Sequence, residues 1–206
     1  MTKDNPDKTV VTEWLDSKVI GYTINLGVST ENQECLGLII KDLKDKLPEL
    51  IWPMPPEKLH VTLFDWIASL VDYGRDKDEI FLEIFGAYDK ALEKVLVDQR
   101  PFTINFTELR ITPDAVIAIG NDDGSFQKIR NAFLSEVNLI PGSKPFPKII
   151  HTTLCRFLKE GSIESIADVL RGHSISFYQY VNNFRLLKIF EAPMIKSEFI
   201  KEYALK

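Results

Sequence analysis

Cysteine, histidine and long apolar runs are scarce in this chain of 206 residues. Its two cysteines, Cys35 and Cys155, lie far apart and form no Cys-x-x-Cys motif, which argues against a disulfide framework and predicts two reduced thiols. No apolar run approaches the ~20 residues that a membrane span requires, and the polar N-terminus lacks the apolar segment of a signal peptide. These absences lead us to expect a cytoplasmic protein.

An excess of positive charge is also missing. The formal net charge is −5, and the 45% hydrophobic and 27% charged fractions are ordinary for a globular protein. This balance argues against a long nucleic acid as partner, whereas a small anionic ligand in a local pocket is compatible with it. The length fits one domain with two lobes, so we expect a flexible arm over residues 1–15 and one bilobal domain over residues 16–206.

Hydrophobic periodicity predicts strands and helices in alternation. Two strand–helix–strand units occur, each ending in a strand that contains a histidine, which indicates two similar lobes. The predicted strands cover residues 18–28, 59–67, 102–111, 115–120, 148–157 and one or two stretches of 175–192. The predicted helices cover 30–50, 76–96, 122–137 and 161–172.

Two of the three histidines occur in the same pattern, in which an apolar residue, histidine, any residue, threonine and leucine follow one another. The first instance is "LHVTL" around His60 and Thr62, and the second is "IHTTL" around His151 and Thr153. Only 11 of the 206 residues are threonine, so chance is a poor explanation for this recurrence. Because side chains two apart in a strand share a face, each strand presents one imidazole and one hydroxyl together.

This pairing suits phosphoester chemistry. Imidazole titrates near neutral pH, so one histidine can act as general base and the other as general acid on opposite sides of a phosphate. A threonine hydroxyl can donate a hydrogen bond to a phosphoryl oxygen on which charge accumulates. This arrangement requires no metal and no cofactor.

Other interpretations of these residues are weaker. A single histidine in an apolar strand is usually a packing residue, but the matched pair argues against that. Zinc sites use several ligands at short spacing, and the chain has neither His-x-His nor His-Glu-x-x-His. Cys155 shares the strand of His151 but has no evident orienting partner for a nucleophile. His173 has no threonine neighbour and is predicted to lie in a surface turn.

At these residues the sequence resembles the two-histidine (2H) phosphoesterase superfamily, and in particular its branch of RNA 2′,3′-cyclic phosphodiesterases, also called 2′-5′ RNA ligases. Members carry two His-x-Thr/Ser motifs with apolar flanks, and "PEKLHVTL" and "KPFPKIIHTTLCR" are similar to the first and second motif. The first motif continues Phe-Asp-Trp where many relatives have a basic residue and then Phe-Leu-Gly, which indicates a divergent subfamily.

The resemblance implies a role for each matching residue. His60 and His151 would be the acid–base pair, Thr62 and Thr153 would bind the phosphate, and Arg156 would help to hold the anion. Strict strand alternation sends Arg156 to the face opposite His151, so the strand would have to bend or end after Leu154. The same alternation places Phe64 on the face of His60, where it would stack on a base or pack.

We therefore expect an α+β fold of two lobes, each an antiparallel sheet with helices on its outer face, and an active-site cleft between them. The expected function is metal-independent hydrolysis of a 2′,3′-cyclic phosphate or a 2′-linked phosphodiester on a nucleotide or a short RNA end. The alternatives are a nucleotide-binding module with little turnover and a 2′-5′ RNA end-joining activity. We expect no cofactor, no membrane partner and a monomer.

Overall fold

A computed structural model of the protein describes residues 7–206. Within this range, four α-helices and nine β-strands follow one another along the chain. The strands are β1 (Lys18–Gly27), β2 (Ile51–Pro53), β3 (His60–Ile67), β4 (Phe102–Ile111), β5 (Ala115–Asn121), β6 (Ile150–Phe157), β7 (Phe177–Val181), β8 (Asn183–Glu191) and β9 (Lys196–Ala204). The helices are α1 (Thr30–Lys46), α2 (Lys77–Leu96), α3 (Ser125–Glu136) and α4 (Ile163–Leu170).

The strands form two sheets in which every pairing is antiparallel. Sheet A has the order β3-β1-β8-β9, and sheet B has the order β2-β6-β5-β4-β7. Helices α2 and α3 pack on sheet A, and α1 and α4 pack on sheet B. The predicted α+β fold with two antiparallel sheets is confirmed.

Two segments of the chain leave one sheet and pack on the other. Helix α1 and the short strand β2 lie between β1 and β3 of sheet A in the chain, yet β2 pairs in sheet B and α1 contacts β2 and β6 there. Helix α3 lies between β5 and β6 of sheet B, yet it contacts β3 of sheet A. The chain therefore exchanges one helix in each direction, and the apolar faces of these helices join the two sheets.

One continuous core results from this exchange. Helix α1 buries Leu36, Ile40 and Leu43, which recur at helical spacing, and the same buried cluster includes Val61 of β3 and Leu154 of β6. No helix within residues 7–206 is long and apolar enough to cross a membrane.

The N-terminal segment is anchored to sheet B from Thr9 onward. The backbone N–H of Thr9 donates to the Gly161 carbonyl at 3.0 Å, and that of Thr12 donates to the Phe157 carbonyl at 2.9 Å. The predicted arm over residues 1–15 lies outside the described residues up to residue 6. The part that follows carries Trp14 towards the site described next.

Candidate active site

A cavity of about 190 Å³ lies between the two sheets, where β3 and β6 contact each other. We call it the inter-sheet cavity. Its wall includes Trp14, Thr23, Met54, His60, Thr62, Asp65, Thr153, Arg156 and Met194. Four of the six residues singled out from the sequence thus line one cavity. His151 lies beside it, near enough for its positive charge to lower the pKa of His60.

A β-bulge follows the threonine in each of the two motif strands. In β3 the pairing with β1 skips Leu63, which comes directly after Thr62. In β6 the pairing with β5 skips Leu154, which comes directly after Thr153. An extra residue in one strand inverts the alternation of side chains beyond it. The fifth residue after each histidine, rather than the fourth, therefore faces the inter-sheet cavity.

The bulges decide which neighbours of the motifs reach the cavity. Arg156 lines it, because the bulge supplies the bend that its predicted role requires. The prediction that Phe64 shares the face of His60 is wrong, because the bulge at Leu63 turns its ring into the core. Phe64 is 0% exposed and stacks on Phe133 with ring centroids 4.6 Å apart, so it does not reach a ligand in this cavity.

The backbone before β3 fixes the tautomer of His60. A 3-10 turn over Pro56–Lys58 leaves the Lys58 carbonyl 2.8 Å from Nδ1 of His60. Because a carbonyl only accepts hydrogen bonds, Nδ1 carries the proton and Nε2 of the neutral ring is left as an acceptor. Burial lowers the pKa of His60 to about 4, the Lys58 hydrogen bond opposes this, and the charges of His151 and Arg185 add to the lowering.

His151 has a matching environment. Burial lowers its pKa, a hydrogen bond with the Ile149 backbone opposes this, and the charges of Arg156 and Arg130 lower the pKa further. Each histidine thus interacts with the backbone two residues before it. Both shifts favour the neutral imidazole when no ligand is bound, and an anion in the inter-sheet cavity would favour protonation of either ring.

Arg156 is the cation of this wall. Its side chain is 17% exposed and forms an ion pair with Asp114. Its guanidinium carbon lies 5.1 Å from the centroid of the Trp14 ring, at a distance typical of cation–π contacts. Trp14, and not Phe64, is therefore the aromatic residue of the cavity wall.

Arg130 of α3 supports the bulge in β3. Its side chain is 1% exposed, and it donates from Nε to the Leu63 carbonyl at 2.8 Å and from Nη2 to the Thr62 carbonyl at 3.1 Å. Burial lowers the pKa of Arg130, because the low-polarity surroundings disfavour its charge. The helix exchange brings this guanidinium to the motif strand of the other sheet, and its charge also lowers the pKa of His151.

One feature of the sequence indicates that Arg130 is buried. It occupies the same face of α3 as Phe126, Ile129 and Phe133, all of them buried, so an arginine stands within an apolar stripe. A buried arginine requires acceptors. The carbonyls that accept its hydrogen bonds lie on sheet A. Arg130 reaches them only because α3 packs on that sheet, which the local sequence pattern does not reveal.

Arg185 of β8 is a second arginine near His60. Gly27 of β1 pairs with His60, and a Cβ atom on Gly27 would lie only 2.7 Å from Nη2 of Arg185. Glycine therefore leaves room for the guanidinium at this point. Nη2 donates to Oδ1 of Asn25 at 3.2 Å, and burial lowers the pKa of Arg185.

Other candidate sites lack this chemistry. A larger groove, of about 550 Å³, runs between β4 and α4 with His173 at its rim, but that ring is bound to Asp42 at 2.8 Å. Burial raises the pKa of Cys155 to about 12, and the bulge turns its thiol away from His151. Among residues 7–206, no group of three or more histidine, cysteine or carboxylate side chains is arranged to hold a metal ion.

Comparison with known proteins yields structural relatives only. No protein-family model and no curated protein sequence matches the chain. Similar solved structures include TT0787 of Thermus thermophilus, at 15% identity and TM-score 0.62, over 90% of this chain and 97% of that one. They also include Escherichia coli LigT in its apo form, at 19% identity and TM-score 0.63, over 92% of this chain and 99% of that one.

A further similar structure is described only as a phosphoesterase, at 17% identity and TM-score 0.58, over 92% of this chain and 99% of that one. LigT has also been crystallised with phosphate, NADP+, 3′-AMP and ATP. These neighbours agree with the sequence resemblance to two-histidine phosphoesterases. The chain has the fold of LigT and of this phosphoesterase, over nine-tenths of its length.

Proposed function

We propose that this protein is a two-histidine phosphoesterase that hydrolyses a 2′,3′-cyclic phosphate or a 2′-linked phosphodiester on a nucleotide or an RNA end without a metal. One observation carries this proposal. Two His-x-Thr motifs, 91 residues apart and on different sheets, have the same bulge after the threonine and converge on the inter-sheet cavity. Packing of the core alone would not require the two strands to share both the motif and the bulge.

The environments of the two imidazoles support different roles for them in the proposed reaction. His60 is the general base, because its pKa is lowered to about 4 and its Nε2 is free to accept a proton. Nε2 takes a proton from water, whose oxygen attacks phosphorus. Protonated His151 gives its proton to the leaving ribose oxygen, so that a phosphomonoester and a free hydroxyl result. Exchange of protons with the solvent then returns His60 to its neutral form and His151 to its protonated form.

Three residues of the cavity wall, Thr62, Thr153 and Arg156, bind the phosphate in this proposal. The hydroxyls of Thr62 and Thr153 donate hydrogen bonds to the non-bridging oxygens, which gain charge in the transition state. Arg156 contributes positive charge, part of which is neutralised by Asp114. The phosphate offsets the burial that keeps the imidazoles neutral, and so it raises the pKa of His151 towards the value that a general acid requires.

Nucleotide binding with little turnover is the second candidate. LigT, which has the same fold, was crystallised with 3′-AMP, ATP and NADP+, so a nucleotide in the inter-sheet cavity is supported by analogy. RNA end joining would be the reverse transesterification in the same cavity. A bell-shaped pH profile and loss of turnover without either histidine would favour catalysis over binding.

A turnover screen tests the proposal. Purified protein is incubated in EDTA with nucleoside 2′,3′-cyclic phosphates and with 2′-5′ oligoadenylate, and the products are separated by chromatography. We expect a phosphomonoester from at least one of these substrates. Binding of the nucleotides without any product would instead favour the nucleotide-binding module.

A further inference from the structure

The two bulged strands place residues of opposite charge at equivalent positions. Asp65 is the fifth residue after His60, and Arg156 is the fifth residue after His151. Each follows a bulge that turns it towards the inter-sheet cavity, and both line its wall. The cavity wall therefore carries an arginine on its sheet B side and a carboxylate on its sheet A side.

The two charges differ in how far the protein has already neutralised them. Arg156 is paired with Asp114 and stacks on Trp14. Asp65 has no lysine, arginine or histidine nitrogen within 4.0 Å among residues 7–206, although its side chain is open to the cavity. Its carboxylate is thus an available acceptor beside the two motifs.

The surroundings of Asp65 favour a ligand that donates hydrogen bonds. Loss of hydration against the surrounding protein raises the pKa of Asp65, whereas the Thr23 hydroxyl and then the charge of Lys144 lower it. A carboxylate that is poorly compensated gains from a hydroxyl or amine donor and repels a second anion. A phosphate group of the substrate would therefore lie towards Arg156, and its neutral, donor-bearing part towards Asp65.

We propose that Asp65 sets the specificity of this cavity for a nucleoside cyclic phosphate with a free 5′-hydroxyl, by accepting a hydrogen bond from the substrate and excluding a second phosphate. This inference rests on the proposed function and narrows its substrate class. The ribose carrying a 2′,3′-cyclic phosphate has one other position that commonly bears phosphate, the 5′ oxygen. A 5′-phosphate would bring a dianion against Asp65.

Matched substrates test the inference. Adenosine 2′,3′-cyclic phosphate and its 5′-phosphorylated form differ by one phosphate, and kcat/KM is measured for both. We expect the wild type to prefer the 5′-hydroxyl form by ~10–100-fold, the size of effect that two like charges exert at short range in a partly solvated site. Asp65→Asn should reduce the preference to within ~3-fold, mainly by raising kcat/KM for the phosphorylated form.

Two further variants keep the result interpretable. Asp98→Asn removes an equal charge from an exposed residue beyond the end of α2 that does not line the cavity, and it should keep the wild-type preference. Asp65→Ser serves as the second variant if the asparagine protein does not fold. A preference that stays the same in Asp65→Asn or Asp65→Ser, or that changes equally in Asp98→Asn, would overturn the inference.

Binding measurements separate this inference from the proposed function. The dissociation constants of adenosine 3′-phosphate and adenosine 3′,5′-bisphosphate are measured by calorimetry for the same variants. If the wild type turns over no cyclic phosphate, the proposed reaction fails, yet a selective gain in affinity for the bisphosphate in Asp65→Asn still supports Asp65 as the anion-excluding residue. Equal affinities in the wild type would contradict it.

Discussion

The strands β3 and β6 carry the same motif and the same bulge, but their neighbours differ. Strand β6 lies inside sheet B between β2 and β5, and its Leu154 carbonyl accepts a hydrogen bond from the Met54 N–H at 2.9 Å. Strand β3 is an edge strand of sheet A, and its Leu63 carbonyl accepts from the side chain of Arg130 at 2.8 Å. A bulge that orients site residues requires a donor for its carbonyl. Here the backbone of Met54, directly after β2, supplies one donor, and the Arg130 side chain of α3 supplies the other.

The second difference concerns charge. Beyond the shared His-x-Thr-Leu, β3 continues with Phe64 and Asp65, and β6 with Cys155 and Arg156. The first residue of each pair is fully buried, and the second lines the inter-sheet cavity. The two motif strands therefore have the same backbone geometry but place residues of opposite charge, Asp65 and Arg156, at the cavity. Substitutions in the shared His-x-Thr motifs and at these two charged positions test the two features separately.

The largest effect is expected from the histidines. His60→Ala and His151→Ala should each lower kcat by ~10²–10⁴, the usual contribution of general acid–base catalysis. His173→Ala is the control, since that ring binds Asp42 outside the inter-sheet cavity. The measurement is steady-state turnover of a cyclic phosphate. A loss of turnover in only one of the two variants would show that the two motifs are not equivalent. Near-wild-type turnover in both variants would contradict the acid–base assignment.

The threonines should have the next largest effect. Thr62→Val and Thr153→Val keep the side-chain shape but remove the hydroxyl, so each should cost roughly 2–4 kcal/mol in kcat/KM if the hydroxyls stabilise the transition state. Thr107→Val, on β4 and outside the cavity wall, is the matched control. Values within error of the wild type for both variants would make the two threonines packing residues.

Removal of the Arg130 side chain, which supports the bulge in β3, should have a smaller effect on kcat/KM. Arg130→Met leaves the carbonyls of Thr62 and Leu63 without their donor and should lower kcat/KM by ~10–100-fold, with partial recovery in Arg130→Lys. Because the charge of Arg130 lowers the pKa of His151, its removal should also move the pH limb set by His151 to higher pH. A purely structural role would lower the melting temperature without that shift.

The pH dependence of stability should reveal the lowered pKa of His60. The pKa of His60 is lowered from 6.5 to about 4 in the folded protein. The unfolded chain therefore binds the proton more readily between these values, and the stabilisation present above pH 6.5 is lost as the pH falls towards 4. Urea unfolding at pH 7 and pH 4.5 should show that His60→Asn loses ~1–2 kcal/mol less than the wild type, after allowance for the solvent-accessible ring. An equal loss in both proteins would contradict the lowered pKa.

Arg156 should have the smallest effect, because Asp114 already offsets part of its charge. Arg156→Ala should raise KM by up to ~10-fold while turnover persists, and it should reduce the salt dependence of kcat/KM. For a mononucleotide or short RNA end, the log–log slope of kcat/KM against salt in the wild type should be about −1 to −2, since few phosphates are contacted. Kinetics from 50 to 300 mM salt measure both quantities. A much steeper slope would indicate an extended RNA track.

The sequence predicted most of the elements and singled out the four motif residues. Apolar periodicity located the four helices and most strands, and the repeated pattern around His60 and His151 singled out two distant segments that both contribute residues to the inter-sheet cavity. Strand β9 was not predicted, because it is a largely exposed edge strand in which charged residues replace the apolar alternation. Strand β2 was missed because it is three residues long and ends in Pro53.

The site beyond the motifs was harder to predict. Strict alternation put Phe64 on the face of His60 and Arg156 on the opposite face, and one extra residue in each strand reverses both expectations. A bulge depends on the partner strand and on a donor for its carbonyl, neither of which is local in sequence. The same holds for Arg130, whose acceptors lie 67 and 68 residues away along the chain.

The pH profile of turnover in EDTA tests the central claim most directly, namely that two imidazoles on different sheets act as one acid–base pair. Burial lowers the pKa of both His60 and His151, so kcat/KM should be bell-shaped with its maximum below pH 6.5. The profile of kcat should lie at higher pH, because the bound phosphate favours the protonated rings. A kcat/KM profile that is flat from pH 5 to 9 would contradict the paired-histidine mechanism.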